Sequence, residues 1–350
     1  MNKFARLPLR EQQAYFQETA SRRDLRLWTV EKDFWVCWML GILFGPSGLG
    51  SHLVFKGGTS LSKVYGVIHR FSEDIDLSVS PAWLGFTGPP PRSRSGRQKW
   101  FGKLQEACLV RVREIQARVE TIARENLSVQ DVEIPYFTFE EDPVTQSPLL
   151  LFSYPTLPTP GPRERRQRIK LEFGSLTDQQ PTGAHKVTSW VAEEFLDQFS
   201  TPGCGVTALE AERTFWEKAT ILHAYYNYPD GKPLPARLAR HIYDIHCLAG
   251  HPIGKRAIVD FELLSRVADF KSLFFNSSWA HFETARPGTL RLVPNESRLQ
   301  EWRTDYGSTE EMFMGTPPSF DELIETLRRL EGQINGGATP PMPRPEQAKD

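Results

Sequence analysis

Apolar positions recur at helical spacing after Thr29, where Val30, Phe34, Cys37, Trp38 and Gly41 share one face of VEKDFWVCWMLGILFG. The spacing predicts a core-facing helix, with Glu31 and Asp33 in a first turn where the helix dipole favours negative charge. The GPSGLG that follows has the glycines of a phosphate loop, but Ser51 and His52 stand where a Walker loop has Lys-Ser/Thr, so it reads as a turn. A short apolar run, LVF, then leads into KGGTSLSKVYGVIHRFSEDIDLSVS. Its pattern predicts a strand, a glycine turn, a helix and a second strand over Ile75 to Val79. Residues 85–98, GFTGPPPRSRSGRQ, read as an exposed loop, and 99–125 recover helical periodicity.

Between 126 and 162, β-prone patches alternate with prolines. RIKLEFGS then alternates residue by residue, with Ile169, Leu171 and Phe173 on one side and Arg168, Lys170 and Glu172 on the other. That is the pattern of a half-buried strand with a charged face. From about residue 207 the pattern turns helical, with Thr207 and Glu210 spaced as in a capping box, which puts a domain boundary near 205. Phe215, Ala219, Leu222 and Tyr226 stripe one helix, and Leu238, Ile242, Ile245 and Ala249 the next. The opposite face of the second carries Arg237, Arg240, His241 and Asp244. Ser319 and Glu322 open a last helix with Leu323, Leu327, Leu330 and Ile334, closed by Asn335-Gly336-Gly337, and residues 336–350 read as a disordered tail.

Composition narrows the function classes. The 350 residues carry 42 Lys and Arg against 43 Asp and Glu, so a net charge of -1 offers no global attraction for nucleic acid or membrane. Polyanion binding must come from local clusters such as Arg92, Arg94, Arg97 and Lys99, or Arg163, Arg165, Arg166, Arg168 and Lys170, which suit an RNA backbone. Four scattered cysteines suggest neither a disulfide framework nor a zinc knuckle, and the eight histidines lack metal spacing. No apolar run approaches the ~18 residues of a membrane span, and the expected compartment is the cytoplasm.

The chemistry concentrates in two short segments and one strand. Asp74 and Asp76 are separated by one residue in SEDIDLSV, so period-2 geometry sets both carboxylates on one face of a strand. Their mutual repulsion is relieved by a divalent cation, and hard oxygen ligands suit Mg²⁺ or Mn²⁺. Upstream, Gly57, Gly58, Thr59 and Ser60 offer a backbone open to a polyphosphate and two hydroxyls to hold it. Glu172, on the charged face of the RIKLEF strand, is a third acid that would complete a two-metal site.

Together, EKDFWVCWML, FKGGTSLSKVYGVIHRFSEDIDLSV, RIKLEF, RTFWEKATILH, RLARHIYDI and SFDELIETLRRLEGQIN resemble the AbiEii/AbiGii nucleotidyltransferase toxins. That family includes the mycobacterial MenT toxins and belongs to the DNA polymerase β nucleotidyltransferase superfamily. The resemblance covers most of the chain. It implies an α/β (α+β) fold, with a nucleotidyltransferase core of small mixed sheet and flanking helices over 1–205 and a helical C-terminal domain over 206–335. It also implies that Gly58 and Ser60 serve a phosphate turn, that Asp74 and Asp76 bind metal, and that Lys218 and Asp244 are further active-site residues. Lys218 would meet the nucleotide triphosphate. His241 departs from the family, which commonly has an acid there.

The implied reaction is Mg²⁺-dependent transfer of a nucleoside monophosphate from NTP to the 3′ end of tRNA or another RNA. The implied setting is a toxin–antitoxin or phage-defence pair with a cognate antitoxin protein. The same core also serves transferases that modify proteins or small molecules. A catalytically idle nucleotide-binding module is the rival from outside enzymes, and the intact acids argue against it.

Overall fold

The computed structural model describes residues 1–127, 134–143, 145–157, 168–176, 178–275 and 277–336. The chain divides into two units, Met1–Glu210 and Ala211–Asp350. In the first, helices α1 (Asn2–Ala5), α2 (Leu9–Arg23) and α3 (Leu27–Phe44) precede strand β1 (Leu53–Lys56), helix α4 (Gly57–Lys63) and strand β2 (Ile75–Val79). A long helix, α5 (Arg94–Asn126), leads to β3 (Phe137–Glu141), β4 (Pro148–Ser153), β5 (Arg168–Gly174) and β6 (Thr182–Thr188). Helix α6 (Trp190–Glu194) and strand β7 (Gly203–Leu209) complete the unit.

The strands form one seven-stranded mixed sheet in the order β3-β4-β5-β2-β1-β7-β6. β2 runs antiparallel to β1 and parallel to β5, so the centre of the sheet joins three segments distant in sequence. Alternation explains their placement. Ile75, Leu77 and Val79 of β2 and Ile169, Leu171 and Phe173 of β5 are fully buried, leaving Asp76, Lys170 and Glu172 half-exposed. Helix α3 is buried nearly all round and packs against β5, β7 and α5, which a helix hydrophobic on every face requires. α5 buries a single stripe, Leu104, Cys108, Val112, Ile115, Val119 and Ala123, spaced by three and four.

Some sequence expectations change. Residues 85–98 are not loop throughout, because Ser93 caps α5 by accepting the Gly96 N–H at 3.1 Å, which puts Arg94 and Arg97 in its first turn. Thr207 is not a helix cap but part of β7, whose Phe55–Ala208 register beside β1 buries Val206, Ala208 and Leu209. The capping-box spacing misled because Glu210 is otherwise engaged, accepting the Tyr65 hydroxyl at 3.2 Å. The helical run therefore starts at Ala211.

The second unit is helical: α7 (Ala211–Tyr226), α8 (Arg240–Gly250), α9 (Pro252–Ala257), α10 (Phe261–Phe274), α11 (Leu299–Gly307) and α12 (Phe320–Gly336). α7, α9 and α12 surround α8, whose Ile242, Ile245 and Leu248 are buried. Arg237 lies before α8 rather than on its polar face, with φ of 64° and its N–H donating to Asp305 at 2.6 Å. The cap expected at Ser319 is formed in both directions: the Ser319 N–H donates to Glu322 at 2.7 Å, and the Glu322 N–H to Ser319 Oγ at 3.3 Å. α12 runs through Gly336, and the rest of the expected tail lies outside the described residues. Among the described residues, no helix is long and apolar enough to cross a membrane.

Because Leu171 is fully buried in a central strand, Leu171→Ala is expected to destabilise the first unit by about 2–5 kcal/mol. A drop in the midpoint of urea unfolding at unchanged slope would register it.

Candidate active site

The parallel pairing of β2 with β5 sets Asp76 directly opposite Glu172. Asp74 stands one residue before β2, on the same side as Asp76 by strand periodicity. Lys170 comes between the acids: its Nζ is 3.4 Å from Asp74 Oδ2 and donates to Glu172 Oε1. The Asp74 carboxyl is pushed up to about 6, chiefly by burial, against the pull of Lys170 and with help from Asp76 and Glu172. This crowded, electron-rich face is a hard-oxygen donor set of the kind Mg²⁺ or Mn²⁺ takes. Among the described residues, no three His, Cys, Asp or Glu side chains are gathered as a ready metal cage, and Glu172 is turned to Lys170.

The glycine turn is built against these acids. Gly57 has φ of 82°, and a Cβ there would stand 1.9 Å from Asp76 Oδ2, so the position excludes every side chain. A Cβ on Gly58 would lie 2.6 Å from a guanidinium nitrogen of buried Arg70. Sequence reasoning credited the two glycines to an approaching polyphosphate, yet the chain's own Asp76 already requires Gly57, and the Arg70 guanidinium lies over Gly58. Thr59 and Ser60 are buried. The Thr59 hydroxyl donates to the Asp74 carbonyl at 2.5 Å, and that of Ser60 to the Gly57 carbonyl at 2.9 Å. The first bond ties the turn to the residue before β2, and the second closes the turn on itself.

Helix α3 anchors both segments, a role the sequence analysis did not assign. Buried Lys32 pairs with Glu73, the residue before Asp74. Buried Asp33 pairs with Lys63 at the end of α4, at 2.6 Å, and accepts the Trp190 N–H at 2.7 Å. Burial raises the Asp33 carboxyl, and Lys63 draws it back. Asp33 thus belongs to a buried pair rather than to the first turn, since α3 starts two residues earlier than Thr29 and its Asp33 face is covered. The legible hint was EKD in an otherwise apolar run, where charges need partners.

Comparison with known proteins bears on this arrangement. The sequence model of the family described as nucleotidyl transferase AbiEii toxin, type IV TA system, matches residues 41–326. The chain belongs to the AbiEii family. It is accordingly a nucleotidyltransferase toxin of a type IV toxin–antitoxin system, which implies an NTP substrate and an antitoxin partner. Among solved structures it is similar to MenT4, a nucleotidyltransferase toxin from Mycobacterium tuberculosis H37Rv, at 16% identity and a TM-score of 0.45. That match covers 92% of this chain and 97% of MenT4. No curated protein sequence matches the chain.

In this AbiEii chain, two further candidates lie in the second unit. Lys218 on α7 and Asp244 on α8 are both buried and pair at 2.7 Å, Nζ to Oδ2. Lys218 is therefore not a solvated helix lysine, and Asp244 is neutralised by it. The polar stripe read on α8 is interrupted, because Asp244 faces inward toward α7. Of the RNA candidates, Arg94 is exposed, Arg97 donates to the Arg92 carbonyl at 2.5 Å, and Arg168 is exposed at the start of β5. Arg165 and Arg166 lie outside the described residues. From Pro81 to Gln105 the sequence holds no acid, so Arg92, Arg94, Arg97, Lys99 and Lys103 stand without acidic neighbours in the sequence.

The raised Asp74 carboxyl has a consequence for stability. Its folded value, about 6, exceeds the 3.8 expected when unfolded, so its contribution is fully present below about pH 4 and is lost as pH rises through 6. Asp74→Asn is thus expected to melt higher than wild type in chelator at neutral pH, with the gap closing toward pH 4. Thermal melts of both proteins across that range check the sign.

Proposed function

We propose that this AbiEii chain transfers a nucleoside monophosphate from NTP to an RNA hydroxyl, the 3′ end of tRNA, in a Mg²⁺- or Mn²⁺-dependent reaction that arrests growth as a toxin or in phage defence. One observation carries the reading: Asp74, Asp76 and Glu172 line one face of two parallel strands, hard against the Gly57 turn. The acceptor hydroxyl attacks the α-phosphorus, forming one P–O bond while the bond to the bridging oxygen breaks and pyrophosphate leaves. A divalent cation held by Asp74 and Asp76, with Glu172 as third ligand, would polarise the α-phosphate and shield the charge of the leaving group.

The chain's own residues do the rest. The turn from Gly57 to Ser60 meets the triphosphate, with Thr59 fixing the turn to Asp74. Buried Lys218 supplies a compact cation for the phosphates, and Asp244 orients it at 2.7 Å. The hydroxyl's proton passes to the Glu172 carboxylate. Arg94, Arg97 and Arg168, with Arg165 and Arg166, bind the RNA backbone through local positive charge that a net charge of -1 does not otherwise offer. The acid-free stretch from Pro81 to Gln105 supports that part of the reading.

The test is incubation of the purified chain with total RNA, Mg²⁺ and each labelled NTP in turn. Label is expected at tRNA 3′ ends, and Asp74→Asn or Asp76→Asn to lower its rate at least about a thousandfold, roughly 4 kcal/mol. Label in protein with tRNA ends unchanged would assign a different acceptor. Turnover near wild type in either variant would remove the metal-site assignment. Lys218→Ala is expected to weaken NTP binding more than RNA binding, which separate titrations of the two ligands resolve.

A further inference from the structure

Lys170 has no role in the reaction as drawn, yet it stands in the middle of the carboxylates. Because Ile75 pairs with Leu171, the residues before them, Asp74 and Lys170, come to the same level on adjacent strands. Lys170 also shares a face of β5 with Glu172, two residues on. The side-chain contacts follow: Nζ lies 3.4 Å from Asp74 Oδ2 and donates to Glu172 Oε1. Glu73, next to Asp74, is taken by Lys32. Lys170 therefore serves Asp74 and Glu172.

Carboxylates on adjacent strands repel one another unless a cation lies among them. Lys170 supplies one such charge, at Asp74 Oδ2, an oxygen of a residue read as a metal ligand. A divalent ion and an ammonium cannot share that oxygen without repelling each other. Lysine suits a contact that must be made and released, since its charge is a point on a flexible four-carbon stem, whereas an arginine fork would grip both acids.

We propose that Lys170 is a built-in counter-ion: it holds the carboxylate face together in the metal-free enzyme and releases Asp74 when a divalent cation binds, so that it sets the metal affinity of the site. The inference rests on the reading of Asp74 and Asp76 as metal ligands.

Calorimetric titration of Mn²⁺ into the full chain without nucleotide, paired with melting temperatures in chelator, tests it. Lys170→Met is expected to bind Mn²⁺ about tenfold tighter than wild type, the effect of removing one competing charge at this range. It should also melt below wild type without metal and gain more from saturating Mn²⁺. Lys170→Arg, which keeps the charge, should bind no tighter than wild type. Asp76→Asn serves as the control for the site itself. If Asp76→Asn loses Mn²⁺ while Lys170→Met binds it no tighter than wild type, or Lys170→Arg binds it tighter, the counter-ion role is overturned and the metal site stands. Unchanged Mn²⁺ binding in Asp76→Asn overturns the metal site and the counter-ion together.

Discussion

Repulsion among carboxylates at the centre of the sheet is the constraint around which the first unit is arranged. Asp76 opposite Glu172, with Asp74 alongside, concentrates negative charge on a half-buried face. Left to themselves these groups would favour separation or protonation. The fold prevents separation by placing them on adjacent strands whose other faces are fixed by buried Ile75, Leu77, Leu171 and Phe173. It tempers the charge with Lys170. A face that is stable only with a cation in it is a face prepared to take one.

Helix α3 makes that strain tolerable. Its apolar residues fill the core under the sheet, and its two buried charges reach the two ends of the site, Lys32 to Glu73 and Asp33 to Lys63. A buried pair such as Asp33–Lys63 is a poor source of net stability, but removing one partner costs about 3–5 kcal/mol because the other is left uncompensated; Glu73 is partly exposed, so its pair with Lys32 is worth less. They therefore act as pins. Glu73 is held immediately before Asp74, and Lys63 closes the helix that begins with the glycine turn. The second unit uses the same device on its own terms, with buried Lys218 and Asp244 paired.

The AbiEii family assignment gives these details a common purpose. A nucleotidyltransferase needs to gather negative charge from its substrate beside negative charge of its own, and only cations reconcile the two. Asp74 and Glu172 are accompanied by Lys170, and Lys218 by Asp244. The glycine turn shows how tight the arrangement is: Gly57 is demanded by Asp76 before any ligand enters, and the Arg70 guanidinium lies over Gly58.

Local pattern was enough for much of this. Alternation in RIKLEFGS and IDLSV placed two strands and the faces of Asp76 and Glu172, because strand periodicity is a property of neighbouring residues. Ser319 and Glu322 announced their helix for the same reason. Where a pattern was ambiguous the sequence misled, as at Thr207, whose capping spacing lost to pairing of β7 with β1 and β6. What only tertiary structure decided is which charges meet. Lys218 with Asp244, Lys32 with Glu73, Asp33 with Lys63 and Lys170 with Asp74 join residues 26, 41, 30 and 96 positions apart. A residue type states that a buried charge needs a partner, and only the packing of one element on another can supply it.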